Sequence, residues 1–338
     1  MIADVAGTGG FRRVPPVPHD RGRDGPGCAQ ACADGPYSPV KRRQLRTVSR
    51  PRTAGPYTHE VDDHRATRIE ARPAPALRRY VSSYVGFDLR GFPAGVHCGP
   101  PCRVLTAVIS LSGPLEVATG VDDGSPVTRF DSVAGGLMCR SVAIHHDGHQ
   151  HGVQLSLTPL GARAVYGLPA AALAHRLVPL DELLGALGVE LVDRLRTATG
   201  WAARFAALDE LLLRAVGRGA GGDPAPRVRP EVAEAWRRLV AARGRVQVGA
   251  VAAELGWSRR HLTERFRGEV GLSPKTFARV LRFERAHELA TAHAPLPWAD
   301  VATLSGYADQ AHLIRDWGEF TGRSPTAWRR GEVLLGTA

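Results

Sequence analysis

Apolar residues recur with helical spacing between residues 248 and 330, and the same short arrangement occurs there twice. In each copy a glycine is followed by an aromatic residue and an N-cap type residue, Ser258 in the first and Asp309 in the second. The residues four and eight positions after each cap are apolar, so one helical face packs inward and the other faces out. Each glycine permits the positive φ that a sharp turn between helices requires. The pattern therefore predicts two helix-turn-helix units.

The repetition continues beyond the two units. The run 271–274 reads Gly-Leu-Ser-Pro and the run 322–325 reads Gly-Arg-Ser-Pro, and each is followed by an aromatic, Phe277 or Trp328. Proline suits the first turn of a helix, so a long helix that joins the two units is predicted to start near Pro274 and to stop before Pro295. A preceding helix is predicted over 230–242.

This doubled arrangement resembles the DNA-binding domain of AraC/XylS-type transcriptional regulators, in which a long helix joins two helix-turn-helix units. The resemblance covers roughly the last third of the chain, and its most family-like run is 309–315 with 322–328. It implies that the protein is a regulator that reads two successive major grooves, about 34 Å apart, with two recognition helices. It also implies an N-terminal domain that senses a small molecule or dimerises.

The inward residues of the recognition helices are predicted to be Leu262 and Phe266 in the first and Leu313 and Trp317 in the second. Arginine can fork onto guanine, glutamine onto adenine, and glutamate can accept a hydrogen bond from cytosine. The outward residues that the resemblance assigns to base reading are Arg260, Thr263, Glu264, Gln310, His312 and Arg315.

A second set of residues is expected to lie beside DNA phosphates. For any single cation among them, a merely solvated charge is the alternative. The set comprises the caps Ser258 and Asp309 and the cations Arg259, Lys275, Arg279, Arg323 and Arg329. Two features depart from the family pattern. Glu264 adds negative charge near phosphates, and Trp317-Gly318 replaces the usual bulky-basic pair, where Gly318 costs about 1 kcal/mol of helix propensity.

The N-terminal half has a different pattern. Between residues 74 and 158, short β-rich runs alternate with Gly or Asp-Gly turns; an example is the run 104–111, which is turned by Gly113-Pro114. The predicted fold class is α+β: a mostly-β, cupin-like barrel as sensor domain, then an all-α domain with two helix-turn-helix units joined by a long helix. The cupin-like barrel is implied by the family resemblance, while the residues themselves indicate only mostly-β structure.

The predicted domain boundaries follow these changes of pattern. Residues 1–66 are a basic, Pro- and Gly-rich disordered tail, which either adds nonspecific DNA affinity, is simply solvated, or is an over-extended start of translation. Residues 67–178 form the mostly-β domain, 179–218 a helical segment, 219–229 a linker and 230–332 the DNA-binding domain. The leucine stripes of the helical segment serve either packing against the β-domain or homodimerisation.

A histidine-rich run at 145–151 offers the main alternative function. His149 and His151 on a strand would point to one face and are the weak candidate ligands for a metal. No carboxylate follows His151 until Asp181, and the intervening Asp-Gly is typical of a hairpin turn. A metal-binding cupin-type enzyme or sensor with an appended DNA-binding domain is therefore the alternative. A repair protein with a reactive cysteine ranks last.

Composition adds to this picture. The net charge of the chain is +11, and residues 227–332 contain 18 Lys/Arg against 12 Asp/Glu, which favours a polyanionic partner such as double-stranded DNA. Five cysteines without a signal-peptide pattern favour a reducing cytoplasm, with nucleoid association through DNA binding. No cofactor, catalytic residue or membrane contact is expected. The sequence leaves open the effector, the operator, a homodimer and any contact with RNA polymerase.

Overall fold

A computed structural model describes residues 57–61, 64–121, 124–221, 228–292, 294 and 296–331. Most of the predicted tail (1–66), part of the predicted linker (222–227) and the cysteines Cys28 and Cys32 lie outside the described residues. The first described residues form strands from Tyr57 onward, inside the range predicted as a tail. The mostly-β part therefore includes residues before the predicted boundary at 67.

Eleven strands in the described part of the chain form two antiparallel sheets, which confirms the mostly-β prediction for this half. The strands are β1 Tyr57–Val61, β2 His64–Ala71, β3 Val81–Arg90, β4 Gly95–Gly99, β5 Leu105–Ser110, β6 Leu115–Ala118, β7 Thr128–Phe130, β8 Ser132–Gly135, β9 Val142–His146, β10 Gln150–Leu157 and β11 Leu177–Pro179. One sheet has the order β1-β2-β3-β10-β5-β8-β11, and the other has the order β4-β9-β6-β7. The predicted strand-turn-strand over 104–117 corresponds to β5 and β6.

Four helices follow or cover the larger sheet: α1 Pro159–Tyr166, α2 Leu180–Leu184, α3 Ala186–Thr197 and α4 Trp201–Gly221. Helix α4 begins directly on the sheet, where a Cβ at Gly86 would come within 2.3 Å of the Trp201 ring. Farther along α4, Asp209 accepts hydrogen bonds from the Ala74 amide at 2.8 Å and the Tyr84 hydroxyl at 2.9 Å. Because Tyr84 is fully buried, this carboxylate both satisfies the hydroxyl and ties α4 to β3.

The leucine stripes of α3 and α4 are buried within the single chain. Leu191 and Leu195 on α3, and Leu208 and Leu211 on α4, are each no more than 1% exposed. Packing within the chain thus accounts for these leucines, whereas Leu183 and Leu184 on α2 are only partly buried and the homodimer stays a prediction. The helices are also more broken than predicted, because the segment turns at Gly185 and Gly200, both with positive φ.

The C-terminal part is all helical, as predicted. Its helices are α5 Pro230–Ala241, α6 Val248–Glu254, α7 Arg259–Val270, α8 Pro274–Ala290, α9 Trp298–Ser305, α10 Gln310–Thr321 and α11 Pro325–Gly331. Helices α6 and α7 form the first helix-turn-helix unit, α9 and α10 form the second, and α8 joins them. No helix in the described ranges is both long and apolar enough to cross a membrane.

A candidate DNA-binding surface on two recognition helices

The first unit has the local geometry that its sequence predicts. Gly256 adopts φ +70° between the two helices, and the Ser258 hydroxyl accepts a hydrogen bond from the His261 amide at 3.1 Å. This cap fixes the start of α7, and Leu262 and Phe266 are fully buried beneath it. The opposite face of α7 is consequently left to solvent.

The second unit repeats this construction. Gly306 adopts φ +82°, and the Asp309 carboxylate accepts a hydrogen bond from the His312 amide at 2.6 Å at the start of α10. Leu313 and Trp317 are fully buried. Trp317 lies among four aromatic rings, those of Phe283, His287, Trp298 and Trp328, with centroids 5.1–6.1 Å from its own. Trp317 is therefore the centre of this unit's core.

The two Gly-x-Ser-Pro runs also have equivalent roles. Ser273 caps α8 by accepting a hydrogen bond from the Thr276 amide at 3.1 Å, and Ser324 accepts one from the Ala327 amide at 3.2 Å at the start of α11. A proline occupies the first turn of each helix. The aromatic counterparts Phe277 and Trp328 are both buried, so the repeat in the sequence is also a repeat in the structure.

All six residues predicted to read bases lie on α7 and α10, away from the buried stripes. Arg260, Glu264, Gln310 and Arg315 are exposed, whereas Thr263 and His312 are half-buried. The outward face of α10 also carries Ile314, with 41% of the residue exposed. Ile314 is not among the predicted base readers, although its place between Leu313 and Arg315 on a helical wheel predicts an outward position.

Two predicted base readers pair with each other on α7. The Arg260 guanidinium lies 3.0 Å from the Glu264 carboxylate, one helical turn away, and both side chains are well exposed. An exposed pair of this kind contributes at most about 1 kcal/mol, so DNA can separate it at little cost. The pairing also offsets the negative charge that Glu264 would otherwise present to phosphates.

His312 is held more firmly than the other predicted readers. Its ring meets the Tyr307 ring edge-on with centroids 5.1 Å apart, and its Nε2 lies 3.9 Å from Asp316 Oδ2. These contacts orient the imidazole at the first turn of α10, beside the exposed Gln310 and Arg315.

Arg279 is placed differently from the prediction that it contacts phosphate. Its guanidinium donates to buried Asp316 at 2.8 Å, also pairs with Glu319, and lies over the Phe320 ring at 5.1 Å. The hydrogen bonds that Arg279 donates to Asp316 and then to Glu319 raise the pKa of Arg279. Arg279 therefore ties the joining helix to the second recognition helix.

The remaining predicted phosphate neighbours are distributed around the helix starts. Arg259 opens α7 and Lys275 lies in the first turn of α8, both exposed, while Arg323 lies half-exposed just before α11. Arg329 instead stacks on the Trp298 ring at 3.7 Å and donates to the Leu296 carbonyl at 3.2 Å. The guanidinium of Arg329, like that of Arg279, is therefore occupied by contacts within the protein.

The candidate metal ligands lie at the hairpin between β9 and β10, with the predicted turn at Gly148, φ +100°. Strand β3 places Asp88 opposite His151, and Asp88 Oδ1 is 3.7 Å from His149 Nε2. Sequence reasoning missed this carboxylate because it lies upstream on a strand whose register no local pattern fixes.

Arginines surround the same cluster. Arg90 donates to Asp88 at 2.9 Å, and Arg204 Nη1 lies 3.4 Å from His151 Nε2. Burial, with the nearby cations, lowers the pKa of His151. Among the described residues no group of three or more His, Cys, Asp or Glu side chains is arranged to hold a metal ion.

The described cysteines lack the features of a reactive thiolate. Cys98 is buried on β4, and burial raises the pKa of Cys102 to about 11. Burial also raises the pKa of Cys139. Burial therefore disfavours the thiolate at Cys102 and Cys139.

Polar contacts among the described residues connect the β-rich half to the helix-turn-helix half. Arg163 on α1 forks onto Glu269 at the end of α7, with N–O distances of 2.6 and 2.8 Å. Arg103, between β4 and β5, pairs with Glu284 on α8 at 3.0 Å. Ser141 donates from its amide (2.7 Å) and hydroxyl (3.1 Å) to the Phe320 carbonyl on α10.

Two capped recognition helices, each with a buried apolar stripe and an outward polar face, define a tandem helix-turn-helix DNA-binding domain. Residues 251–331 match the family model described as "Helix-turn-helix domain", a range that spans both units. The match identifies residues 251–331 as a helix-turn-helix domain.

Several solved structures are similar to the chain. The C-terminal domain of AraT, a response regulator from Geobacillus stearothermophilus, is 23% identical over 33% of this chain and 93% of that chain (TM-score 0.30). The DNA-binding domain of AdpA, a global transcriptional factor in complex with a target DNA, is 24% identical over 30% and 91% (TM-score 0.28). ToxT from Vibrio cholerae is 10% identical over 75% and 99% (TM-score 0.45). No curated protein matches the sequence.

Proposed function

We propose that α7 and α10 enter two successive major grooves of one operator and read its bases with Arg260, Thr263, Glu264, Gln310, His312 and Arg315. The observation that carries this proposal is the pair of equivalent N-caps, which set both recognition helices outward from one aromatic and aliphatic core. The regulator acts in the cytoplasm on chromosomal DNA, without catalysis, and its β-rich half responds to a small molecule or to a second copy.

The two recognition helices carry different base-reading side chains, which supports a non-palindromic site. On α7, separation of Arg260 from Glu264 frees a guanidinium for guanine and a carboxylate for the amino group of cytosine. On α10, Gln310 suits adenine and Arg315 suits guanine. The two half-elements are therefore expected to differ in sequence.

Phosphate contacts fall to the exposed residues near helix starts. Ser258 and Asp309 cap the recognition helices, so the amide ends of both helices and the neighbouring Arg259 suit an approaching phosphate. Lys275 and Arg323 extend this set. Arg279 is left out, because Asp316 and Glu319 already satisfy its guanidinium.

Control by the β-rich half is supported by its contacts with both units. Arg163 holds the end of the first recognition helix and Ser141 holds the last turn of the second. A ligand or partner that prefers one arrangement of the β-rich half shifts the population of arrangements in which both units engage DNA.

The metal-dependent enzyme or sensor is the second candidate, and the observation in its favour is the 3.7 Å approach of Asp88 to His149. Arg90 and Arg204 supply positive charge at the positions next to Asp88 and His151, where a metal cation would have to bind. Metal analysis of the purified full-length protein tests this candidate. Bound metal that is lost in the His149→Ala, His151→Ala variant would establish it.

The main experiment is selection of bound DNA from a random library by the full-length chain at stated salt concentrations. We expect a motif of two unlike half-elements one helical turn apart, with Arg315→Ala relaxing the sequence of one half only. Arg237→Ala, which removes an exposed arginine from α5, is the matched control and should leave the motif unchanged. Binding that depends on salt but ignores sequence would contradict the proposal.

A further inference from the structure

The outward face of α10 combines polar residues with an exposed apolar patch. Ile314 is 41% exposed, and Ala311, one turn before it, is exposed as well. Gly318, one turn after Ile314, has open space where its Cβ would be. No side chain at that position therefore shields Ile314 from a surface that approaches α10.

An exposed isoleucine on this face is unexplained by the protein's own packing. Leu313 and Trp317, its neighbours along the helix, fill the core completely, whereas Ile314 points away from it. Exposing a large apolar group at a position surrounded by Gln310 and Arg315 is useful when the partner presents an apolar group among polar ones. The major groove has one such group, the C5 methyl of thymine.

We propose that Ile314 contacts a thymine methyl in the half-element read by α10 and so makes that half-element specific for an A·T pair. This inference rests on the proposed function and adds a specificity-determining residue to it. Gln310 lies one turn before Ile314 on the same flank of the helix, so adenine recognition and methyl contact fall on the same or adjacent base pairs. Arg315 lies on the other flank and reads a guanine. Helix α7 has Thr263 at the position equivalent to Ile314, so it presents a single methyl there instead of a branched aliphatic side chain.

Replacement of thymine by deoxyuridine tests the contact, because it removes only the C5 methyl and keeps base pairing. The operator is first obtained by library selection with the full-length chain, and Arg315→Ala identifies the half-element of α10. Each thymine of that half is then replaced singly, and the dissociation constant is measured for the wild type and for Ile314→Ala. One replacement is expected to weaken wild-type binding about fourfold, the effect of one buried methyl-sized group. The same replacement should cause no further loss in Ile314→Ala.

Two controls make the result specific. Leu304→Ala removes a second exposed large apolar side chain from the described part of the DNA-binding domain, 52% exposed on α9, and should keep the wild-type sensitivity to deoxyuridine. Thymines in the half-element of α7 should respond equally in the wild type and in Ile314→Ala.

Three outcomes would overturn the inference: equal deoxyuridine losses in both proteins, no loss at any thymine of that half-element, or a half-element without thymine. In each of these cases specific binding survives, and with it the proposed function. Sequence-blind binding by the wild type would remove both.

Discussion

His287 on α8 shows how a single buried residue makes stability depend on pH. Its ring stacks near Trp317 and meets Trp328 with centroids 4.6 Å apart, and burial lowers the pKa of His287 to about 4. Above pH 6.5 His287 is neutral in both the folded and the unfolded chain, and the free energy of unfolding has its full value. As the pH falls from 6.5 towards 4, the unfolded chain takes up a proton that the folded chain does not, and the free energy of unfolding falls by up to about 3 kcal/mol.

Urea denaturation at several pH values measures this loss. His287→Phe keeps a neutral aromatic ring in the cluster, so the free energy of unfolding should vary less between pH 6.5 and 4 than in the wild type. His287→Gln provides a second neutral variant if the larger ring disturbs packing. An unchanged pH dependence in both variants would contradict the assignment.

Arg279 is the residue at which the sequence-based and structural assignments differ most. Arg279→Ala leaves the buried Asp316 carboxylate without its partner, and we expect a loss of about 2 to 3 kcal/mol in the free energy of unfolding. Lys275→Ala on the same helix removes an exposed cation and should leave stability nearly unchanged while it lowers the salt dependence of DNA binding. An Arg279→Ala protein of normal stability with a reduced salt slope would restore the phosphate assignment. The sequence could not distinguish these roles, because Asp316 is 37 residues away along the chain.

At the scale of elements, replacing two glycines of the second unit by alanine should change the free energy of unfolding in opposite directions. Gly318 lies inside α10, and a Cβ there would meet nothing, so Gly318→Ala should stabilise the protein by about 0.5 to 1 kcal/mol. Gly306 has φ +82°, and its Cβ would lie 2.6 Å from Arg245 Cγ, so Gly306→Ala should destabilise by about 1 to 2 kcal/mol. Thermal unfolding of the two variants checks both signs, and a destabilised Gly318→Ala protein would show an unrecognised constraint on α10.

Local chemistry explains which elements could be predicted. The caps Ser258 and Asp309 and the turn glycines act within a few residues, so their spacing alone indicated both helix-turn-helix units. The β-rich half was predictable only as a class, because pairing is set by distant partners. Asp88 meets His151 through the register of β3 with β10, which no local pattern encodes.

At the scale of the whole molecule, the contacts between the two halves had no sequence signal at all. Arg163 and Glu269 are 106 residues apart, and their identities fit any solvated pair of charges. In the structure both are largely buried, and Gly271 just beyond Glu269 lies so close that its Cβ would be 2.7 Å from Ala174 Cβ. The end of the first recognition helix is therefore packed against the β-rich half.

Cooperative unfolding of the two halves is the consequence that this packing predicts. Arg163→Met leaves Glu269 charged, buried and unpaired, and should cost about 2 to 4 kcal/mol. Adding Glu269→Gln removes the uncompensated charge, so the double variant should regain part of that stability without regaining the ion pair.

Because the ion pair then no longer couples the halves, denaturant unfolding followed by tryptophan fluorescence and by far-ultraviolet circular dichroism should give separate transitions. Coincident transitions are expected for the wild type and for the matched pair Arg194→Met with Glu210→Gln, an exposed ion pair between α3 and α4. Coincidence in the Arg163–Glu269 double variant as well would mean that the remaining contacts suffice to couple the halves, among them Arg103 with Glu284, Ser141 with Phe320 and the packing of Gly271 against Ala174.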